Sequence, residues 1–134
     1  MGDCFYCSKA EPVVQTKAGK IRGFKMNSTY TFHGIKYADA DRFQMPREVK
    51  PWKGIKNALA YGYVCPMLMQ DHPLMEVMIP HRYWPMDENC QYLNIWTHSL
   101  DPEAKKPVMV WLRGGGFFAG SSIEQVAYEG VHLS

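Results

Sequence analysis

The stretch PVMVWLRGGGFFAGSS, residues 107–122, joins an apolar run to a glycine triplet. Residues 108–112 are apolar at every position, which predicts a strand that is covered on both faces. Such a strand needs layers above and below its sheet, and this favours an α/β fold. Gly114, Gly115 and Gly116 follow at the carboxyl end of the strand, where sheets of this kind bind their ligands.

The glycine triplet presents peptide N–H groups that no side chain shields. Donors of this kind, aimed at one point, bind an anion or a developing oxyanion. A phosphate loop is excluded because no lysine follows, and the G-x-G-x-x-G pattern of dinucleotide sites is absent. The remaining candidate is an oxyanion hole like that of α/β-hydrolases. The residues alone leave it open against a turn whose glycines only permit close packing.

The composition sets limits on the class of protein. The 134 residues are about the size of one domain, and 46% apolar with 13% aromatic residues suffices for a buried core. A net charge of +2 without a basic stripe argues against nucleic-acid binding. No apolar stretch is long enough to predict a membrane span. The N-terminus fits neither a secretory signal nor a myristoylation pattern, so we expect a cytoplasmic protein.

The remaining segments give a coarse map of the chain. Residues 12–25 predict a β-hairpin, and residues 29–38 predict another extended stretch. Residues 54–62 fit either a short helix or an irregular strand. Residues 65–86 are rich in proline and methionine without a regular period, which predicts a long packed loop. Residues 92–97, YLNIWT, predict a strand.

Cysteine and histidine residues do not form a convincing metal or redox site. Cys4 and Cys7 make a C-x-x-C near the terminus, where free thiols are favoured over a redox or metal role. A metal site built from His72, His81 and the neighbouring methionines is less favoured than a folded loop. None of the five histidines lies beside a serine or cysteine in a catalytic pattern: His33, His72, His81, His98 and His132. We therefore expect neither a metal nor a cofactor.

Several blocks resemble one family in the same order. The opening stretch resembles the P-V-M-V-W-I-H-G-G-G-F-x-x-G-S segment of the type B carboxylesterase (cholinesterase-like) family. ENCQYLNIWT, residues 88–97, resembles its E-D-C-L-Y-L-N-I-W-T signature and departs at Asn89 and Gln91. Four further blocks match in order: FHGIKYA (32–38), RFQMP (42–46), PWKG (51–54) and YGYVCP (61–66). The resemblance covers about residues 12–130.

This resemblance implies an α/β-hydrolase fold with a Ser–acid–His triad that cleaves small-molecule carboxylic esters. In the family, the second and third glycines of the triplet donate their N–H groups to the tetrahedral intermediate. That role carries over to Gly115 and Gly116. Phe117 and Phe118 would either line the acyl pocket or pack in the core.

The chain also departs from the family pattern. It contains no G-x-S-x-G nucleophile elbow, and family members are several times longer, with the triad beyond residue 134. We therefore interpret residues 12–134 as an N-terminal portion of the domain: a β-hairpin, a long loop and the first strands of an incomplete central mixed sheet. Residues 1–11 are expected to be a disordered tail.

Alone, this chain is expected to be inactive. It is also expected to self-associate, because residues 108–112 lack sheet neighbours. The alternative is a non-catalytic cholinesterase-like binding module or a truncated pseudoenzyme.

Three further positions carry expectations from the resemblance. Secreted relatives join the cysteines at positions 65 and 90 by a disulfide; here we expect both to be reduced, with Cα atoms within about 7 Å. Arg113 replaces a histidine, and a guanidinium is costly to bury without a partner. Arg113→His, made in a chain completed with a relative's downstream portion, is therefore expected to raise both stability and esterase activity. The alternative is that Arg113 binds a substrate carboxylate.

Overall fold

A computed structural model describes residues 4–67, 81–116, 119–132 and 134. Seven strands occur in these ranges: β1 (Phe5–Tyr6), β2 (Val13–Gln15), β3 (Lys20–Arg22), β4 (Phe24–Met26), β5 (Thr29–Lys36), β6 (Ile55–Asn57) and β7 (Tyr92–Thr97). Short 3₁₀ helices span Pro102–Ala104, Val126–Tyr128 and Gly130–His132. In the described part of the chain, no helix is long and apolar enough to cross a membrane.

The strands form two small sheets. The larger has the order β1-β4-β5-β7 and is antiparallel throughout. Its longest strand, β5, shifts register against β7 between Phe32 and Ile35. The smaller has the order β2-β3-β6, in which β2 and β3 form an antiparallel hairpin and β6 runs parallel to β3. Antiparallel and parallel pairing therefore both occur in the smaller sheet.

Most of the predicted extended segments are confirmed. The hairpin of residues 12–25 is β2 and β3, the extended stretch of residues 29–38 contains β5, and YLNIWT is β7. The undecided stretch 54–62 contains the strand β6, not a helix. Phe5–Tyr6, which the sequence left in the tail, pairs with β4.

A small core lies between the two sheets. Its buried members are Ile21 of β3, Phe32 of β5 and Ala58 just after β6. Partly buried apolar side chains surround them: Val14, Tyr30, Ile35, Trp52 and Leu100. Because Ile21 and Phe32 belong to different sheets, this cluster holds the two sheets together.

The chain passes from the smaller sheet to the larger through one residue, Gly23. It lies between β3 and β4, and its N–H donates to the Pro12 carbonyl at 3.0 Å. A Cβ at this position would lie 2.2 Å from the Thr31 carbonyl oxygen and 2.7 Å from the Phe32 ring. Only glycine leaves room for the backbone of β5 at this corner.

The strand predicted for residues 108–112 is wrong for the described structure. These residues carry no strand pairing, and their side chains are 64–85% exposed. A strand is defined by the hydrogen bonds to its neighbours, and no described strand lies alongside this stretch. The apolar run favours a buried strand, but the described chain contains no strand that pairs with it.

Candidate active site

The glycine triplet forms a tight loop directly after residues 108–112. Gly115 and Gly116 have φ angles of +119° and +60°, a region that favours glycine. The Ala119 N–H donates to the Gly115 carbonyl at 3.0 Å and closes the loop. A Cβ on Gly115 would lie 1.9 Å from the Ala119 carbonyl oxygen. Both the backbone angle and the close approach therefore require glycine at position 115.

The two predicted donors face no acceptor in the described part of the chain. Neither the Gly115 nor the Gly116 N–H donates to another described residue, and both glycines are exposed. A Cβ on Gly114, by contrast, would meet nothing within 4 Å. Gly115 and Gly116 therefore present two adjacent N–H groups without an acceptor among the described residues. Their role as an oxyanion hole stays a prediction.

Arg113 is bonded to the loop that it precedes. Its Nη1 donates to the Gly114 carbonyl at 2.7 Å and to the Ala119 carbonyl at 2.6 Å. The side chain is half-buried. Arg113 is therefore not the unpartnered guanidinium expected from the sequence. Arg113 has two carbonyl acceptors, so the reason for expecting Arg113→His to improve the loop no longer holds.

The segment after the loop is held by one side-chain hydrogen bond and by backbone contacts. Glu124 accepts the Ser121 N–H on its carboxylate at 2.8 Å, and Ser121 and Ile123 are buried. The Arg82 N–H donates to the Glu124 carbonyl at 2.7 Å, and His81 and Gln125 form an isolated β-bridge. Residues 121–125 are therefore fixed to the segment that leads into β7.

A second polar cluster holds the following turn. The Tyr61 hydroxyl donates to the Glu129 carboxylate at 2.5 Å, and the Arg82 guanidinium pairs with the same carboxylate. Burial alone would raise the pKa of Glu129, but hydrogen bonds from Tyr61 and Arg82 outweigh it and lower this pKa. Burial and the Glu129 carboxylate raise the pKa of Tyr61. The cluster therefore contains a carboxylate and a neutral phenol, and it joins three separate segments.

His33 of β5 lies beneath this cluster. Its ring stacks on Tyr61 with centroids 4.2 Å apart and meets Trp96 edge-on at 5.6 Å. Its Nε2 is buried without a hydrogen-bond partner among the described residues. Burial lowers the pKa of His33 to about 4, with Glu129 opposing and Arg82 adding to the shift. His33 is therefore a neutral aromatic component of the interior and not a poised catalytic base.

A cavity of about 220 Å³ is lined by residues on either side of the glycine loop, including Arg113 before it and Ser121 after it. Its lining includes four tyrosines, two cysteines, Arg113 and the serines that follow the loop: Tyr37, Tyr61, Tyr63, Tyr92, Cys65, Cys90, Ser121 and Ser122. Sequence reasoning assigned no role to these tyrosines. The only available signal was their position within the matched blocks, which shows similarity but not which side chains face a cavity.

The cysteine predictions are answered in part. Burial raises the pKa of Cys90, and the neighbouring Cys65 raises it further, so the two thiols are close. Both are free, and their Cα separation stays a prediction. Cys4 is exposed and Cys7 donates to the Gly23 carbonyl at 3.5 Å. The described residues contain no group of His, Cys, Asp or Glu suited to a metal ion.

Three residues with earlier expectations lie outside the described ranges. They are His72, Phe117 and Phe118. Predictions about the acyl pocket and the central part of the long loop therefore stay predictions.

Comparison with known proteins places this geometry in context. The model of the carboxylesterase family matches residues 10–134. An esterase from the anaerobe Clostridium hathewayi, described as able to hydrolyse aliphatic aromatic polyesters, superposes with a TM-score of 0.89 at 59% identity. That match covers 96% of this chain and 26% of the other.

Two curated relatives are similar over most of the chain. Phenmedipham hydrolase of Pseudarthrobacter oxydans is 34% identical over 82% of this chain and 23% of its own length. Para-nitrobenzyl esterase of Bacillus subtilis (strain 168) is 32% identical over 91% of this chain and 24% of its own length. The chain thus spans about a quarter of the length of the proteins it matches.

Proposed function

Because the chain belongs to the carboxylesterase family, we propose that it forms the oxyanion-hole segment of a carboxylic ester hydrolase. The likeness to solved esterases confirms the predicted fold, an incomplete N-terminal part of an α/β-hydrolase. The observation that carries the functional proposal is the loop at Gly115 and Gly116. Its closed backbone leaves two neighbouring N–H groups without a described acceptor.

The chemistry follows from where charge develops during ester cleavage. When a nucleophile adds to the ester carbonyl, the carbonyl oxygen becomes an alkoxide of the tetrahedral intermediate. The N–H groups of Gly115 and Gly116 stabilise that oxygen, and one such donor is typically worth about 2.7–4 kcal/mol in the transition state. The intermediate then expels the alcohol and leaves an acyl-enzyme, which water hydrolyses.

The proposal assigns the nucleophile, acid and base to residues outside these 134. The sequence contains no G-x-S-x-G, and donors without a nucleophile and base cannot form an acyl-enzyme. The isolated chain should therefore not hydrolyse short p-nitrophenyl esters above a denatured control. Turnover that survives purification and is lost on mutation of one of the chain's own serines would contradict this assignment.

A narrower substrate class is favoured by one relative and one feature of the site. The Clostridium hathewayi esterase, 59% identical, carries the description of acting on aliphatic aromatic polyesters. Four tyrosines line the cavity that Arg113 and Ser121 also line, and aromatic side chains pack well against aromatic rings. We therefore propose esters that carry an aromatic ring as the substrates of the complete enzyme.

A chimera tests both the oxyanion role of the glycine loop and the narrower substrate class. Residues 10–134 replace the matched segment of the Clostridium hathewayi esterase, which supplies the remainder of the domain. Gly115→Ala should lower kcat on p-nitrophenyl butyrate by about 100-fold or more, since its Cβ would collide with the Ala119 carbonyl. Gly114→Ala is the matched control and should stay close to the unsubstituted chimera, because a Cβ there meets nothing within 4 Å.

The outcomes separate the candidate functions. Equal losses from Gly114→Ala and Gly115→Ala would remove the oxyanion role from Gly115. A folded chimera that is inactive on p-nitrophenyl butyrate and on an aliphatic aromatic polyester film would favour the non-catalytic module. Activity on the soluble ester alone would retain the hydrolase and reject the narrower substrate class.

A further inference from the structure

We propose that Arg113 is a positioning residue, which turns the peptide groups of the glycine loop so that the Gly115 and Gly116 N–H groups point away from the loop interior. The catalytic consequence rests on the proposed function. The structural part, that the Arg113 side chain holds the loop, is independent of the proposed function.

Arg113 orients the peptide unit between Gly114 and Gly115. A trans peptide places its C=O and its N–H on opposite sides. Arg113 Nη1 donates to the Gly114 carbonyl at 2.7 Å, so that carbonyl is directed at the guanidinium. The Gly115 N–H is then directed to the other side, away from Arg113. One side-chain hydrogen bond thus sets the direction of one proposed donor.

Ala119 orients the next peptide unit, between Gly115 and Gly116. The Gly115 carbonyl accepts the Ala119 N–H at 3.0 Å, so the Gly116 N–H of the same unit is directed away from the loop interior. Ala119 is itself held by Arg113, whose Nη1 donates to the Ala119 carbonyl at 2.6 Å. Arg113 therefore fixes the Gly115 donor directly and the Gly116 donor through Ala119.

Position 113 needs a side chain with more than one N–H donor on a single nitrogen. A single nitrogen, Nη1, serves both carbonyls. No described carboxylate lies within ion-pair distance of Arg113, so these two carbonyls are the acceptors the described structure gives it. Hydrogen bonds from a charged donor are stronger than those from a neutral one. A lysine amine, with three N–H donors on one nitrogen, can replace this function, whereas a methionine of similar length cannot.

The loop-holding part is tested by amide hydrogen exchange of the 134-residue chain. Arg113→Met should speed exchange of the peptide that contains Ala119 by about tenfold or more, because the carbonyls lose a charged donor. Arg113→Lys should exchange at close to the unsubstituted rate. Equal exchange in the unsubstituted chain and in Arg113→Met would overturn the proposal.

The catalytic part is tested in the chimera with one neutral and one carboxylate-bearing p-nitrophenyl ester. Arg113→Met should lower kcat on the neutral ester by about 10- to 100-fold with little change in KM, and Arg113→Lys should recover most of it. A rise in KM confined to the acidic ester, with kcat on the neutral ester unchanged, would make Arg113 a substrate-binding residue and overturn the proposal.

The two measurements also distinguish this inference from the hydrolase proposal. A chimera without activity, together with faster exchange in Arg113→Met, would reject the hydrolase and retain the loop-holding role. An active chimera whose kcat is the same in Arg113→Met would retain the hydrolase and reject the positioning role.

Discussion

The two-sheet region and the stretch 108–112 are both rich in apolar residues, but only the first buries them. Phe32 is 2% exposed between two sheets whose strands all find partners within the described chain. Leu112 is 84% exposed, in a stretch that is apolar at every position. The side-chain chemistry is comparable, and the difference lies in whether the described chain provides neighbours. An apolar sequence favours burial, but a segment is buried only where the fold places other residues against it.

The largest expected effect compares two phenylalanines that differ in burial. Phe32→Ala should lower the free energy of unfolding by about 3–5 kcal/mol, because it leaves a cavity between the sheets. Phe43→Ala, at a side chain that is 96% exposed, should change it by less than about 1 kcal/mol. Urea denaturation at low protein concentration measures both.

For the stretch 108–112, the cost of losing an apolar side chain should depend on whether the rest of the domain is present. Leu112→Ala should be nearly neutral in the 134-residue chain, because the side chain is exposed. In the chimera, where the remainder of an esterase domain is present, the same change should cost about 2–5 kcal/mol. A neutral result in both settings would show that these residues do not form a core strand even in a complete domain.

The next effect is the pH dependence that His33 brings to the two-sheet region. Its pKa in the folded chain is about 4, below the ordinary 6.5, so the unfolded chain takes up a proton first as the pH falls. The stability from burying the neutral ring is fully present above pH 6.5 and is lost as the pH falls towards 4. The total change is about 3 kcal/mol.

His33→Phe tests this assignment because it keeps a ring against Tyr61 and removes the titrating group. Unfolding free energies between pH 7 and 4 should then lose the part of their slope that His33 supplies. His98→Phe, at an exposed histidine, is the matched control for introducing a phenylalanine. An unchanged slope in His33→Phe would show that His33 is not the responsible group.

The smallest expected effect on stability belongs to the exposed stretch. Val110→Lys should change the unfolding free energy by less than about 0.5 kcal/mol, since Val110 is exposed in the described structure. The same change should reduce self-association of the 134-residue chain, because a charge on an unpaired apolar segment opposes edge-to-edge pairing. Light scattering against Met45→Lys, an exposed loop position, separates a specific effect from added charge. Equal scattering by both variants would remove residues 108–112 from the association surface.

The fold could be predicted from the sequence where local pattern and neighbours agree. YLNIWT matches β7 residue for residue, and the hairpin of β2 and β3 lies within the predicted residues 12–25. β3 is the sequence neighbour of β2, and β7 pairs with the distant β5, but both partners lie within the described chain, so each predicted strand finds a neighbour. The prediction for residues 108–112 failed because strand formation depends on partners that a pattern in one segment cannot reveal.

The site was predictable in its backbone but not in its side chains. The triplet drew attention to the loop, and the resemblance selected Gly115 and Gly116, whose role as donors stays a prediction. The structure adds that both have positive φ angles and that Gly115 lies too close to the Ala119 carbonyl for a side chain. The contacts of Arg113 and the four tyrosines around the cavity depend on how distant segments come together. No periodicity or spacing encodes that arrangement, so the sequence offered only the resemblance.

Gly23 has a consequence for how this segment can be recombined with others. Because one residue separates β3 from β4, an insertion or deletion there leaves the pairing within each flanking hairpin intact but moves one sheet relative to the other. A strand that absorbs a shift of one residue turns its opposite side chains towards the core, since strand side chains alternate. Break points for shuffling this segment among relatives therefore belong outside residues 13–36, and β2 to β5 are best inherited as one block.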